Sequence, residues 1–475
     1  MIFREAVEFT SAKFFGHPPR WASLLRLALT FAMLVAAPIV GILAAKLDPV
    51  LIFALIGLLA LPLGLQSVFQ RPSLAPVIIL IAAAFVPISL PTGTGSRLVD
   101  SLLLTILFVG MWVLRMLIAD KRLHLVPSPV NRPLLSFILV VPLSLIWGIV
   151  FRDPLVTVWN SFPIVQLASA IVMIMLPGAF LLVTNHVNEL RLLKIMIALI
   201  LIAGVIGLVK RFAVSSIPIN TEGLFTMWII AISAGLGLLN RKMTWPQRGL
   251  LLALTGAFVF YGFVLNITWL AGWLPGLVVL GVLVLMRSKK LLAVFLVFMV
   301  IFISLNSRYY LGTVIQNEET ESGGTRLAAW AVNWQVTGQH LLLGTGPAGY
   351  TAYYMSYFPS RAMATHSNYI DIISQTGIIG LGIWIWFFFT LTRLGYKLCL
   401  RLKGRGDFVE GLANAALAGT VGCIVIMAFG DWLIPFAYTQ TIAGFDYAVY
   451  NWLFMGTIPA LDRLTRTEER AAANA

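Results

Sequence analysis

The chain is poor in charge and nearly free of cysteine. Only 11% of its 475 residues are Asp, Glu, Lys or Arg, against roughly 25% in an average soluble domain. Its mean hydropathy is +0.92. Polar side chains are too few to cover a core in water. That excludes a soluble enzyme, a disordered protein and a coiled coil, and leaves a polytopic membrane protein. The two cysteines, Cys399 beside a basic run and Cys423 within an apolar one, argue against a structural disulfide and supply no thiol cluster for a metal. No small-residue cleavage site follows a short apolar region in residues 1–20, so the N-terminus reads as retained. Acids are the scarcer charge, 19 against 33 bases, for a formal +14. In a soluble protein that excess would raise nucleic acid as a partner. Here it raises the question of which side of a bilayer the cations occupy.

What the chain has is apolar runs. A membrane span needs about 20 predominantly apolar residues, and fourteen segments qualify: roughly 24–45, 50–69, 74–90, 98–119, 134–151, 164–184, 192–209, 224–239, 249–266, 269–286, 291–305, 368–395, 411–432 and 443–461. All are expected to be helices, because an open strand in lipid leaves backbone groups unpaired. With the N-terminus inside and the sides alternating, 25 cations fall inside and 8 outside. The positive-inside rule therefore predicts N-in and C-in with an even span count. Most of the +14 is topology, and the informative cations are those left outside.

Three regions follow: helices over 1–305, a long outside loop over 306–367, and helices with a tail over 368–475. A loop of that length is usually functional or disordered, and its aromatic content, Trp330, Trp334, Tyr350, Tyr353, Tyr354, Tyr357 and Phe358, speaks against disorder. Residues 316–324 are acidic and Gly-ended. Leu327, Trp330, Ala331 and Trp334 then repeat at i, i+3, i+4 and i+7, which predicts an amphipathic helix over 325–339 lying at the membrane surface, with Thr325 as its N-cap. Gly344-Thr345-Gly346-Pro347-Ala348-Gly349 lacks the Lys-Ser/Thr of a phosphate-binding P-loop and reads as a tight turn. Thr365-His366-Ser367-Asn368 opens the next span, which places His366 close to a helix N-terminus.

The ordered set Arg326-x3-Trp330, Leu342-Leu343-Gly344-Thr345-Gly346, His366-Ser367-Asn368-Tyr369 and Gly377-Ile378-Ile379-Gly380-Leu381 resembles the C-terminal domain of the Wzy-type O-antigen ligase/polymerase superfamily. The resemblance is sharpest over 322–382. It implies a helical, GT-C-like glycosyltransferase of the bacterial inner membrane whose site faces the periplasm. The implied reaction is inverting and metal-independent, with no cofactor. The donor is a polyprenyl-pyrophosphate-linked glycan and the acceptor a hydroxyl on another glycan or on a lipid-linked one; membrane lipids and a chain-length regulator or export complex are the further partners. Two departures stand out. The stretch 266–273 carries no cation where many members have a Ser-Arg pair, so a phosphate-holding cation is missing there or supplied from elsewhere. The usual His-Asn is spaced to His366-Ser367-Asn368.

Such a reaction develops charge on a pyrophosphate leaving group, which calls for cations in a poorly solvated site. Arginine is favoured because its planar fork grips phosphate oxygens in pairs. Arg326 matches the family motif, and Arg211 with Lys210 ends the seventh run at the outer interface; simple snorkelling to the headgroups is the competing account of Arg211. Arg308 and Arg361 are reserves. The acceptor hydroxyl needs a base, and His366 is the candidate, kept neutral by a helix N-terminus. Asp371, five positions on, lies about 140° round a helix and cannot pair with His366 there. Tyr350, Tyr353, Tyr354, Tyr357, Asn368 and Tyr369 are expected to meet the glycan, with loop packing as the alternative role for the tyrosines. Asp100 and Arg115 fall at span ends, and Asp431-Trp432 closes the thirteenth run. No residue set suggests a covalent intermediate or a metal. The leading expectation is a polymerase. A ligase to lipid A core or another acceptor is the runner-up, and a transporter of the same superfamily is the rival from another class; no internal repeat supports it.

Overall fold

A computed structural model describes residues 71–86, 88–92, 96–266, 270–307, 324–359 and 365–473. The first two apolar runs, the acidic part of the long loop, Arg308 and Arg361 lie outside them. The elements below all belong to one unit, Pro72–Ala475.

Nearly every predicted run past residue 71 becomes a helix. In order these are α1 (Ala75–Phe85), α2 (Asp100–Ile118), α3 (Asn131–Val150), α4 (Phe162–His186), α5 (Leu190–Phe212), α6 (Phe225–Leu239), α7 (Trp245–Phe260), α8 (Leu270–Arg287) and α9 (Lys289–Leu305). The long loop adds α10 (Gly324–Gln339) and α11 (Tyr350–Tyr357), and the last part holds α12 (Asn368–Leu402), α13 (Phe408–Ile426), α14 (Phe445–Met455) and α15 (Thr457–Ala473). A π turn, Tyr261–Leu265, prolongs α7. The fold is all-α apart from a hairpin of two three-residue strands, β1 (Ser89–Pro91) and β2 (Arg97–Val99), paired antiparallel between α1 and α2.

Among the described residues seven helices are long and apolar enough to cross a membrane, and three shorter helices are apolar. Two runs differ from expectation for physical reasons. The run 411–432 stops being helical at Ile426, and residues 427–441 form an irregular segment that returns through the protein. The run 443–461 divides at Gly456 into α14 and α15. Pro459, in the first turn of α15, has no N–H for the carbonyl of Met455, so a single regular helix cannot run through.

The centre is the pair α6 and α13. Gly235 and Gly411 let their backbones meet: a Cβ on Gly235 would lie 2.9 Å from the Gly411 carbonyl oxygen, and one on Gly419 would lie 2.3 Å from the Trp228 ring. Apolar association in lipid depends on such close packing of small residues. Trp228 donates its indole N–H to Asn451 Oδ1 at 2.8 Å, tying α6 to α14. On the periphery the apolar residues face outward: Ile118 is 71% exposed, Val150 65%, and α9 buries none of its residues. Faces of that extent are stable only against lipid or another apolar surface.

Candidate active site

Helix α12 is where the long loop meets the bundle, and it is broken. Gly377 adopts φ +68° and ψ −172° in its interior, a conformation that side chains other than glycine resist. The break removes two intrahelical bonds, and the Leu342–Gly346 motif replaces them. Ile378 and Ile379 donate their backbone N–H groups to Leu341 O (2.8 Å) and Leu342 O (3.3 Å). The freed carbonyls of Ser374 and Gln375 accept from the N–H groups of Thr345 (2.9 Å) and Gly346 (3.0 Å). Ser144 of α3 donates to the Leu343 carbonyl at 2.6 Å and also to that of Gln375. Only glycines permit this approach: a Cβ on Gly377 would lie 2.1 Å from Leu342 O, and one on Gly344, at φ +71°, 2.5 Å from the Gln375 carbonyl carbon. The tight turn expected over 344–349 is therefore a backbone graft into a helix.

That graft fixes the start of α12. Ser367 is its N-cap position, and its hydroxyl bonds to the Met427 carbonyl (3.2 Å) rather than to the helix. His366 sits just ahead of the helix, not in it, at φ +46°. A histidine in the left-handed region costs about 1 kcal/mol or more, so surrounding contacts must hold it. Its Nδ1 lies 3.9 Å from Asp431 Oδ1, with the imidazole 36% exposed and the carboxylate 1%. Asp431 comes from the irregular segment after α13. Thr439 donates its hydroxyl to Oδ2, and Gln440 donates Nε2 to Oδ1 at 3.3 Å. Burial pushes the Asp431 carboxyl up, but the contacts with His366 and Thr439 outweigh it and hold the group below its ordinary value. A buried carboxylate persists only if paired in this way. The imidazole turns Nδ1 toward this anion.

Arg326 lies in the first turn of α10, half-buried. Trp330, one turn on and on the same helix face, donates its indole N–H to the carbonyl of Thr365 at 2.7 Å. The Arg-x3-Trp motif thus lashes α10 to the residue preceding His366. Thr337 on the same face bonds to Ser374 at 3.0 Å, and Ser374 bonds to Asn333. Helix α10 begins at Gly324, so Thr325 is inside it rather than capping it.

Arg211 and Lys210 end α5 as expected, but the following segment holds them. Arg211 Nη2 donates to Thr221 O and Thr226 Oγ1, both at 3.2 Å, and its guanidinium lies 5.1 Å from the Phe258 ring and 5.2 Å from that of Tyr261. Lys210 Nζ donates to Ile219 O at 2.8 Å. A contact path leads from here to the histidine. A Cβ on Gly223 would lie 3.0 Å from Tyr447 Cβ, Tyr447 donates its hydroxyl to Gln440 Oε1 (2.5 Å), and Gln440 reaches Asp431. Trp330, one turn from Arg326, thus bonds the residue before His366, and the segment that holds Arg211 runs close to Tyr447, which bonds Gln440.

The expected glycan contacts are placed differently. Tyr350, Tyr353 and Tyr354 are at most 3% exposed and form a core with Phe162 and Phe436. The Tyr350 ring stacks on Phe436, with centroids 4.8 Å apart. Their faces are covered because α11 folds down onto the loop before α4. The hydroxyl of Tyr350 donates to Asp371 at 3.0 Å, and that of Thr365 to the same oxygen at 2.5 Å. Asp371 thus braces the loop above it and has no bond to His366. Tyr357 remains 43% exposed, its hydroxyl on Asp153 at 2.5 Å and pushed up to about 12 by that bond. Asn368 is fully buried and holds the returning segment, donating to Ile434 O (2.7 Å) and accepting from Leu433 N (2.9 Å). Tyr369 donates to Ile424 O at 2.8 Å. His340 packs edge-on to Tyr353, and burial lowers it from its ordinary value.

Asp431, Thr439 and Gln440 are the residues that motif reasoning left without a role beside His366. Their one sequence signal was an acid closing an apolar run. Among the described residues no group of three or more His, Cys, Asp or Glu side chains is placed to hold a metal ion.

No curated protein matches the chain. A family model does: residues 247–385 match Wzy_C, the O-antigen ligase family. The match takes in α7 to α11 and the first half of α12, with Arg326, His366 and both glycine motifs, and ends before Asp431. Residues 247–385 of this multi-pass chain are thus similar to the Wzy_C domain of the O-antigen ligase family.

Proposed function

We propose that the protein is a cell-envelope glycosyltransferase that polymerises glycan at the periplasmic face of the bacterial inner membrane, with both termini inside and fourteen spans. The observation that carries the reading is the His366–Asp431 pair at the mouth of α12. His366 Nε2 takes the proton of the acceptor hydroxyl as that oxygen attacks the anomeric carbon. The bond from that carbon to the donor pyrophosphate breaks in the same step, its electrons leave with the phosphate oxygen, and the configuration inverts. Arg326, with Arg211 and Lys210 as further cations, meets the charge that develops there. Asp431 holds the imidazole with Nδ1 toward the anion and stabilises the imidazolium that forms.

His366→Ala and Arg326→Ala should each lower transfer by roughly 10²-fold or more and abolish long polysaccharide, with insertion and protein level unchanged. Polymer of wild-type length in both variants would sink the mechanism. The matched family's description, O-antigen ligase, favours a second reading, transfer to lipid A core or another acceptor. The product separates the two. Loss of a polymerase leaves single repeats on the acceptor, whereas loss of a ligase leaves long chains on polyprenyl lipid.

A further inference from the structure

With Tyr350, Tyr353 and Tyr354 covered, a more open aromatic surface lies on the segment that carries Thr439. Tyr438 directly precedes Thr439, the residue whose hydroxyl holds Asp431, and is 36% exposed. Trp159, half-buried on the loop between α3 and α4, meets it edge to face, with centroids 6.0 Å apart and planes at 84°. The two rings make a right-angled corner. Its backing is rigid: Trp159 packs edge-on to Phe162 at 4.8 Å, and Phe436, stacked on Tyr350, lies 5.9 Å from Tyr438. The Trp159 loop is pinned to α11 by the Thr157 N–H on Ser356 Oγ at 3.0 Å.

We infer that Trp159 and Tyr438 are the platform on which the acceptor sugar stacks, an inference that rests on the transferase reading above. A pyranose ring has an apolar face of C–H groups and a rim of hydroxyls. Flat aromatic faces take up the first and leave the rim hydroxyls free to react. An aromatic anchor in the headgroup layer would use the same residue types. Such an anchor needs no fixed right angle and no place next to the residue that holds Asp431.

The test uses the full-length protein in nanodiscs and has two arms. In the first, delipidated oligosaccharide released by mild acid from the producing cells is titrated, and saturable binding is read by tryptophan fluorescence and by calorimetry. Wild type should bind, and Trp159→Ala and Tyr438→Ala should each weaken binding by about tenfold. Trp245→Phe, a fully separate and 79% exposed position, should bind as wild type. In the second arm, transfer from a polyprenyl-pyrophosphate-linked repeat is followed; the two variants should raise the acceptor KM by about tenfold and leave kcat within about twofold. Equal binding by wild type and both variants, or no saturable binding by wild type, overturns the platform. Binding that behaves as expected in a protein that transfers nothing overturns the transferase reading and leaves a glycan-binding surface.

Discussion

His366 lies just ahead of a helix in a strained backbone conformation, and facing its ring is a carboxylate that two other side chains hold. Such strain persists only where the surroundings over-determine it, and here they do so from a segment more than sixty residues downstream. Asp431→Asn keeps the shape and one acceptor oxygen, gives up the other acceptor and removes the charge. It should lower kcat by roughly 10–10³-fold with little change in KM, as expected when a group acts on the base and not on the substrate. The same residue sets an acid limit. Its carboxyl is held below the ordinary range, so its stabilising contribution is complete above about pH 4 and is lost as pH falls through the lower, folded value. Thermal melts between pH 6 and 3 should show that loss in wild type and a shallower one in Asp431→Asn. Equal slopes would mean that the pair does not couple to stability. His366 and Arg326 stand out in the sequence as candidates because each belongs to a short motif. Asp431 was visible only as an acid at the end of an apolar run, since its pairing depends on how 427–441 folds back.

At the scale of elements, the most informative feature is the repair of α12 by the loop. Gly377→Ala should destabilise by more than about 2 kcal/mol, because the positive φ and the carbonyl of Leu342 both exclude a Cβ. Gly382→Ala, in the same helix and with nothing within 4 Å of the added Cβ, should be neutral or slightly stabilising. Unfolding in detergent, followed by thermal shift, would compare them, and similar losses for both would contradict the graft. Helix positions were well read from the sequence, because about 20 apolar residues in lipid leave the backbone few other choices. The ends of α13 and the division at Gly456 were not, since local irregularity is set by prolines and by partners far along the chain. For Tyr350, Tyr353 and Tyr354 the structure favours the packing role, one of two the sequence leaves open. An aromatic residue in a loop has the same composition signal whether its face is open, as for Tyr438, or covered, as for Tyr350.

For the whole molecule, α15 closes the end of the bundle opposite in sequence to the loop. Arg401 of α12 pairs with Asp462 (2.9 Å) and bonds to Thr465 (2.6 Å), while Arg463 donates to the carbonyls of Thr184 (2.7 Å) and Val187 (2.5 Å) at the end of α4. The Arg463 bonds satisfy carbonyls at a helix end, where the helix itself supplies no donor. Arg463→Ala should therefore cost about 1–3 kcal/mol, visible as a lower melting temperature with the transfer rate of the surviving protein unchanged. A melting temperature equal to wild type would show that water satisfies those carbonyls instead.

The pairing of His366 with Asp431 also bears on how the matched segment can be moved between proteins. Residues 247–385 contain His366, Arg326 and both glycine motifs, and they end before Asp431. A chimera built by exchanging that segment alone would set one protein's imidazole against another's returning loop. The unit that can be transplanted with its chemistry intact runs on at least to Tyr447, where the path from Asp431 through Gln440 reaches the segment that holds Arg211.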